Sequence, residues 1–354
     1  MRNNQITYEQ LLQRNIRKNQ KLVELILKQA AKDIAKRIPK YRLRLPNVIA
    51  DNTFYKMNLK LQTEIDSVLG VLHNNLEDTI ENSIRESWEL ANLNRDNIAN
   101  AFTKGIDLPG YLKTSMYQLN LPALDSFIGR AINGMNLSDR IWKLTKIKKY
   151  ALEKYLASGI SVGKSAARIS IDIRDFEINP QKLFRRVRGE EGKLRLSKAA
   201  KMYHPGQGAY RSSYKNALRL AATETNIAYG MSDFQRRKQM PFVTGIEIHL
   251  SAAHPRPDLC DSMEGKYPKG FMFWGWHPLC MCIATDIKIS KQEFFNYLDT
   301  GKINSQRYVR TIPKSATNYL NKNKKVIDGW KNKPYFIADN LNDNFELKES
   351  VLKV

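Results

Sequence analysis

Residues 244–287 read TGIEIHLSAAHPRPDLCDSMEGKYPKGFMFWGWHPLCMCIATDI, and this stretch decides the fold. From Thr244 to Leu250, apolar Ile246, Ile248 and Leu250 alternate with Glu247 and His249, the period-two pattern of a half-buried strand. Ile283 to Ile287 is the predicted partner, so a short β-hairpin is expected here. All three cysteines of the 354-residue chain, Cys260, Cys280 and Cys282, lie between those strands, with His254 and His277 in the same window. An odd, tightly spaced set of cysteines cannot pair off completely into intrachain disulfides, and it suits metal ligation in a reducing compartment better.

Zinc takes thiolate and imidazole in a tetrahedral shell, and four protein ligands close that shell into a structural site. Cys260, Cys280 and Cys282 supply three. His277 is the favoured fourth, because it stands three residues before Cys280 and Pro278 restricts the turn; His254 is the alternative and Asp258 a weaker oxygen donor. A Cys-x-Cys is less specific than paired Cys-x-x-Cys, and the competing reading is a small subdomain with buried free thiols. Phe271, Phe273, Trp274 and Trp276 suit either reading as an apolar wall, in preference to a base-stacking platform. His249, His254, Glu247, Asp258, Asp261 and Glu264 are candidate acid–base groups, which makes a metal-dependent nuclease the second functional reading. Three thiolates and a histidine would close the shell and leave no position for water or substrate, so structure is favoured over catalysis.

Upstream, the chain reads as helical. Thr7 and Gln10 form a capping-box pattern, Ile6 can staple onto Leu11, and apolar residues recur at helical spacing up to Pro39. A second, proline-free helix is predicted from about Tyr55 to Leu93, in which His73 is a surface or packing residue. Pro122 begins another helix, Ser138 is the expected cap of the next, Gly159 its expected end, and Ser161 a cap for a further one. Gly159-Ile-Ser-Val-Gly163-Lys164-Ser165 imitates a phosphate-binding loop. It has three residues between the glycines where four are needed, and a helix where a strand should precede, so nucleotide binding is rejected. A helix should resume near Ser212, with Leu218, Ala221, Ala222, Thr225, Ala228 and Tyr229 inward and Glu224 in an internal ion pair or cap. Ser290 and Glu293 form a second capping box, beyond which short helices and a loosely held tail are expected.

Lysine and arginine outnumber acidic residues 58 to 35, a net charge of +23 that favours a polyanionic partner through counterion release. The surplus is densest between residues 180 and 210, where Lys182, Arg185, Arg186, Arg188, Lys193, Arg195, Lys198 and Lys201 are interrupted by glycines and Pro205. Short helices and a basic loop able to grip phosphates without reading sequence are expected there. Hydrophobic residues at 42% are enough for real cores, which excludes general disorder. The polar start, Met1-Arg-Asn-Asn-Gln-Ile, carries no secretory pattern, and the longest apolar run, Phe271 to Ile283, is too short to span a bilayer, so no membrane association is expected.

From Leu137 to Ile287 the chain resembles the tailed-phage head morphogenesis, or minor head, proteins, of which the phage Mu F-like group is typical. Leu137-Ser138-Asp139-Arg140-Ile141-Trp142 resembles the family's Leu-Ser-x-Arg-hydrophobic-Trp motif, and Gly159 to Ser165 its Gly-x-x-x-Gly-x-Ser turn. Arg219 with Thr223-Glu224-Thr225 resembles its Arg-Thr-Glu-Thr helix, and Asp258-x-Cys260, Gly265 and His277-Pro278-x-Cys280-x-Cys282 its terminal Cys/His module. The chain departs from the pattern at Ala222, Trp276 and Met281, where arginine, proline and arginine are usual. The resemblance implies a low-copy, non-enzymatic component that meets portal and capsid or scaffold components during assembly. It would lie inside the virion head near the portal, after assembly in the bacterial host cytoplasm, and some relatives are thought to contact packaged DNA. Family C-termini can carry effector domains, which keeps the zinc-dependent nuclease or toxin-like reading as the alternative. The expected organisation is a helical arm over 1–136, a head-morphogenesis domain over 137–288 with its Cys/His module at 244–287, and a helical, partly flexible basic tail over 289–354. The expected fold is mainly α, with long N-terminal helices, a helical core and a small α+β C-terminal module whose short β-hairpin is stapled by zinc.

Overall fold

The computed structural model describes residues 7–40, 59–161, 167–172, 186–188, 191–192, 194–196, 213–251 and 258–353. The protein is mainly helical, with a small three-stranded antiparallel sheet in its C-terminal region, as the patterning predicts. The chain divides into two compact units, one of Met1–Ile16, Ser83–Phe127 and Thr223–Val354, the other of Arg17–Asn82 and Ile128–Ala222. Among the described residues no helix is long and apolar enough to cross a membrane.

Helix α1 (Tyr8–Arg37) begins at the predicted capping box, where Gln10 N–H donates to Thr7 Oγ1 and Thr7 N–H donates to Gln10 Oε1, both at 3.2 Å. Pro39 cannot continue it, and the chain tightens into a 3₁₀ turn, Ile38–Lys40. Helix α2 (Leu59–Thr103) buries Leu61, Ile65, Leu69, Leu72, Leu76 and Ile80 at steps of three and four, the spacing that keeps one face inward. It runs ten residues past the predicted end at Leu93. The polar run Asn94-Arg95-Asp96-Asn97 reads as a terminus, yet Arg95 is buried against acidic partners, so the helix continues.

In the unit of Arg17–Asn82 and Ile128–Ala222, helix α5 (Leu137–Ser161) is capped by Asn136 and not by Ser138. Asp139 N–H donates to Asn136 Oδ1 at 2.8 Å and Asn136 N–H to Asp139 Oδ2 at 3.1 Å. Ser138 is thereby released for a side-chain bond to Glu77. Gly159 lies inside α5, which passes it without ending, and residues 162–166 of the phosphate-loop mimic lie outside the described residues. Strands β1 (Arg186–Arg188) and β2 (Leu194–Leu196) pair antiparallel with Val187 opposite Arg195, where short helices and a loop were expected. Of the eight predicted phosphate-gripping residues, Arg186, Arg188 and Arg195 are on this ribbon; Lys182, Arg185, Lys193, Lys198 and Lys201 lie outside the described residues.

The other unit holds α3 (Gly110–Met116), all but the last residue of α4 (Leu121–Ile128), and most of α6 (Ser213–Lys238). Ala228 and Thr225 of α6 are buried as predicted, while Tyr229 is half-buried. Strand β3 (Val243–His249) is central in the order β4–β3–β5, flanked antiparallel by β4 (Gly265–Pro268) and β5 (Ile283–Lys288). The predicted pairing of β3 with β5 is present, Ile246 opposite Asp286 and Ile248 opposite Ala284. The expected hairpin is one half of a larger sheet, because Gly265-Lys-Tyr-Pro268 is too short and too mixed to signal a strand by itself. Gly245 is required in β3, since a Cβ there would meet Val309 Cγ2 at 2.7 Å.

Helix α7 (Leu259–Met263) follows β3, and α8 (Lys291–Thr300) starts at the predicted Ser290–Glu293 capping box and ends on Gly301 in the left-handed region. The remaining helices are α9 (Lys314–Lys322), α10 (Lys324–Asp328), α11 (Tyr335–Ala338) and α12 (Glu349–Leu352). They correct the expectation of a loosely held tail. Ala316, Leu320, Ile327, Phe336, Ile337, Leu341, Phe345 and Val351 are buried in the same cluster as Cys260, Cys280, Tyr267 and Trp276.

Candidate metal centre

Cys260 is positioned by the short helix α7, which the acids around it hold in place. Asp258 is its N-cap: Cys260 N–H donates to Asp258 Oδ1 at 2.7 Å, and Asp258 N–H donates to Asp261 Oδ2 at 2.7 Å. The facing ligands come from a tight turn. Cys280 N–H donates to the His277 carbonyl at 3.0 Å, Pro278 stands second, and Leu279 stands third at φ 64°. That is the geometry of a type II turn, whose third position ordinarily takes glycine. Gly275, at φ 108°, clears the other side, since a Cβ there would come within 2.9 Å of Cys280 Cβ. Leu279 is 43% exposed, so its side chain contributes little burial in return for the strained backbone. Leu279→Gly relieves a left-handed penalty of roughly 1–2 kcal/mol and loses roughly 0.4–1 kcal/mol of it to unfolded-chain freedom, so a small rise in Tm with unchanged metal content is expected; a fall in Tm would show that the turn stores less strain than this.

Cys260 Sγ stands 3.2 Å from His277 Nε2 and 3.7 Å from Cys280 Sγ. The sulfurs of Cys260, Cys280 and Cys282 lie within 4.8 Å of one another, and so do the ligand atoms of Asp258, Cys260 and His277. Cys260 is the corner common to both groups. His277 Nδ1 is 2.9 Å from the Pro278 carbonyl, which only accepts, so Nδ1 is the nitrogen that donates and Nε2 is the one available to ligate a metal beside Cys260. Asp258 Oδ2 is 3.4 Å from that same Nε2. Cys260, Cys280 and Cys282, with His277 against Cys260, can hold a metal ion. His254 lies outside the described residues.

The surroundings are dry on one side. Phe271, Phe273 and Trp276 are buried with Cys260 and Cys280, and Trp276 packs against Phe273 at 4.8 Å and edge-on to Phe336 at 5.2 Å. These aromatics form the predicted wall. The three sulfurs share protons: hydrogen bonds from Cys260 and then Cys282 push the Cys280 thiol down to about 2. Its hydrogen bonds to Cys280 and then Cys282, with burial, raise the Cys260 thiol far above the usual range. Cys282 is pulled down by Cys260, but Cys280 and burial outweigh this and push it up to about 12. A metal that binds all three as thiolates therefore displaces protons, so affinity should rise with pH.

Several of the candidate acid–base groups are held by internal partners. His249 Nε2 is 3.0 Å from Thr285 Oγ1, Glu264 accepts from Leu250 N–H at 3.3 Å, and Asp261 completes the cap of α7. No protein-family model, curated protein or solved structure matches this chain. What the site can do is therefore read from its own donors.

The other predicted motifs have internal partners within their own units. Ser138 Oγ donates to Glu77 Oε2 at 3.1 Å and lies 3.1 Å from His73 Nε2, while Trp142 stacks on the His73 ring at 4.2 Å. Serine, histidine and glutamate meet here without forming a relay. The hydroxyl and carboxylate face one ring nitrogen, whereas a relay needs them on opposite nitrogens, and His73 Nδ1 is buried without a hydrogen-bond partner among the described residues. Thr225 hydrogen-bonds Ser83, and Glu224 is buried beside it.

One buried constellation escapes sequence reading. Arg95 Nε donates to Asp233 Oδ1 and Arg95 Nη1 to Asp286 Oδ2, both at 2.6 Å, and Arg237 Nη2 donates to Asp233 Oδ2. Arg95, Arg237 and Asp286 are almost wholly buried. Lys269 lies against this network, its ammonium pushed down to about 8 by burial and then by Arg237. The partners of Arg95 stand 138 and 191 residues away in sequence, too far for any local pattern to join them.

Proposed function

We propose that this chain is a structural, non-enzymatic minor head protein of a tailed phage or prophage, stapled by one zinc ion, that acts with portal and inner-capsid components during head assembly. The observation that carries the reading is the meeting of Cys260, Cys280 and Cys282, with His277 against Cys260, all members of the last motif of the ordered set. Two thiolates bound to zinc at about 2.3 Å stand about 3.8 Å apart at the tetrahedral angle, and a thiolate and an imidazole nitrogen about 3.5 Å. The two distances from Cys260, 3.7 Å to Cys280 and 3.2 Å to His277, lie close to these values, and His277, which shares no group within 4.8 Å with Cys280 or Cys282, would close on them when the ion binds. Cys282 completes a closed shell that supplies folding energy and leaves no open position for water. The basic ribbon and the lysines and arginines from Lys182 to Lys201 would meet packaged DNA through its phosphates, without reading sequence.

Ser138 and Thr225 of the upstream motifs are engaged in internal hydrogen bonds, which supports a scaffold in preference to a substrate groove. Asp258 caps α7 through Oδ1 while its Oδ2 stands 3.4 Å from His277 Nε2, so Asp258 is the oxygen alternative to Cys282 in the shell. In this reading the protein works inside the head near the portal, having been made in the host cytoplasm. The reading expects a portal gene beside this one, and co-expression of the two proteins tests the assignment: they should co-elute, and Cys280→Ser should abolish co-elution while zinc content falls well below one per chain. Separate elution of the intact chain from that portal would contradict it. Incubation with duplex DNA and divalent metal should leave the DNA whole; metal-dependent cutting lost in Asp258→Ala or His254→Ala would instead establish the nuclease reading.

A further inference from the structure

We infer that the segment Lys314–Lys333 carries a second nucleic-acid site, one for single strands, built on Trp330 and the lysines beside it. Between these limits the chain has six lysines and one acid, Asp328. Helices α9 and α10 abut at Asn323, which ends the first and precedes the second, and Trp330 stands two residues past the end of α10. Trp330 N–H donates to the Ile327 carbonyl at 3.1 Å and holds the tryptophan at the end of that helix. Ala316, Leu320 and Ile327 face the other way, into the cluster that contains Cys260 and Cys280. Val326 is left 60% exposed and Trp330 41% exposed.

Five of the six lysines, all but Lys314 at the start of α9, divide into two sets. Lys324 donates to the Asp343 carbonyl at 2.8 Å and lies over the Phe345 ring at 4.9 Å, and Lys333 pairs with Asp343 at 2.7 Å. These two anchor the segment to the core. Lys322, Lys325 and Lys331 are exposed and, among the described residues, have no acidic partner. An exposed indole flanked by uncommitted ammonium groups matches an unstacked base between two phosphates. Stacking on an aromatic face needs a base outside a duplex, and it tolerates any base because each has a π-face. The inference stands apart from the head-assembly reading and uses none of the residues from 182 to 201.

The test uses the full, zinc-loaded chain and a labelled twenty-nucleotide oligothymidylate, with a duplex of equal length and phosphatidylglycerol-containing vesicles as the other arms. Trp330→Ala should weaken oligothymidylate binding about 5- to 100-fold while changing duplex binding little. The triple change Lys322→Gln, Lys325→Gln, Lys331→Gln should flatten the log–log dependence of affinity on salt by about 2, three single-strand phosphates at about 0.7 each. All four side chains are exposed, so far-UV circular dichroism and zinc content should not move. Unchanged oligothymidylate binding in both variants overturns the site, as does an equal loss toward duplex in Trp330→Ala. Variants that abolish vesicle binding and leave oligothymidylate binding intact would make this a membrane-facing ridge and also overturn it.

Discussion

Stripping zinc from the folded protein should unfold the C-terminal cluster as a unit. Structural zinc supplies on the order of 10 kcal/mol of folding free energy at neutral pH, and a whole domain has only about 5–15 kcal/mol to lose. The cluster around the centre has no substitute for that contribution. Cys260 and Cys280 are buried among Tyr267, Phe271, Trp276 and Phe336, so without the ion three thiols must share protons in an apolar setting. Chelation at pH 7 should therefore abolish the near-ultraviolet circular dichroism of the packed tryptophans Trp274 and Trp276. Far-ultraviolet signal from α1 and α2, whose apolar stripes do not depend on the centre, should largely remain. Readdition of zinc should restore the spectrum, and a chelated protein with unchanged tryptophan signal would count against the staple.

The second large effect concerns Asp233. Removing it by Asp233→Ala leaves Arg95 and Arg237 buried with Asp286 as their remaining carboxylate among the described residues. Breaking a buried ion pair by deleting one member costs about 3–5 kcal/mol, because the surviving charge is uncompensated. The loss should appear as a large drop in the denaturation midpoint. Burial pushes the Asp233 carboxyl up, but the charges and hydrogen bonds of Arg95 and Arg237 outweigh it and hold it below its ordinary value. Because the folded value is the depressed one, this contribution is fully present above the unfolded-state pKa of about 4. It is lost as pH falls through the folded value. The acid limb of the stability curve should accordingly flatten in Asp233→Ala. A variant as stable as the parent at pH 7 would show that the network is not a net contributor.

Legibility in the sequence tracked the range of the interaction. The Thr7 and Ser290 caps were readable because both partners lie within four residues, and β3 with β5 because each carries its own alternation. The cysteine cluster was readable as composition: three rare residues of ligand type in one window. Where two local signals competed, the reading failed. Ser138 and Asn136 are both good caps, and Asn136 wins because Asp139 can answer it while Ser138 is drawn to Glu77. The tail was misjudged because α11 and α12 are four residues each, too short to show a period, although Phe336, Ile337 and Val351 are fully core. The left-handed Leu279 carried no signal, since nothing in a leucine announces a position that favours glycine. The Arg95 network was illegible for the opposite reason to the caps, its members being brought together only by the folded unit.

Elemental analysis of the purified, folded chain joined to zinc-edge X-ray absorption is the most direct measurement of the central claim. The account predicts one zinc per chain with three sulfur neighbours at about 2.3 Å and one nitrogen at about 2.0 Å, reduced to two sulfurs in Cys282→Ser. Folded protein without zinc, or a shell in which water or carboxylate oxygen stands where Cys282 should, would contradict it.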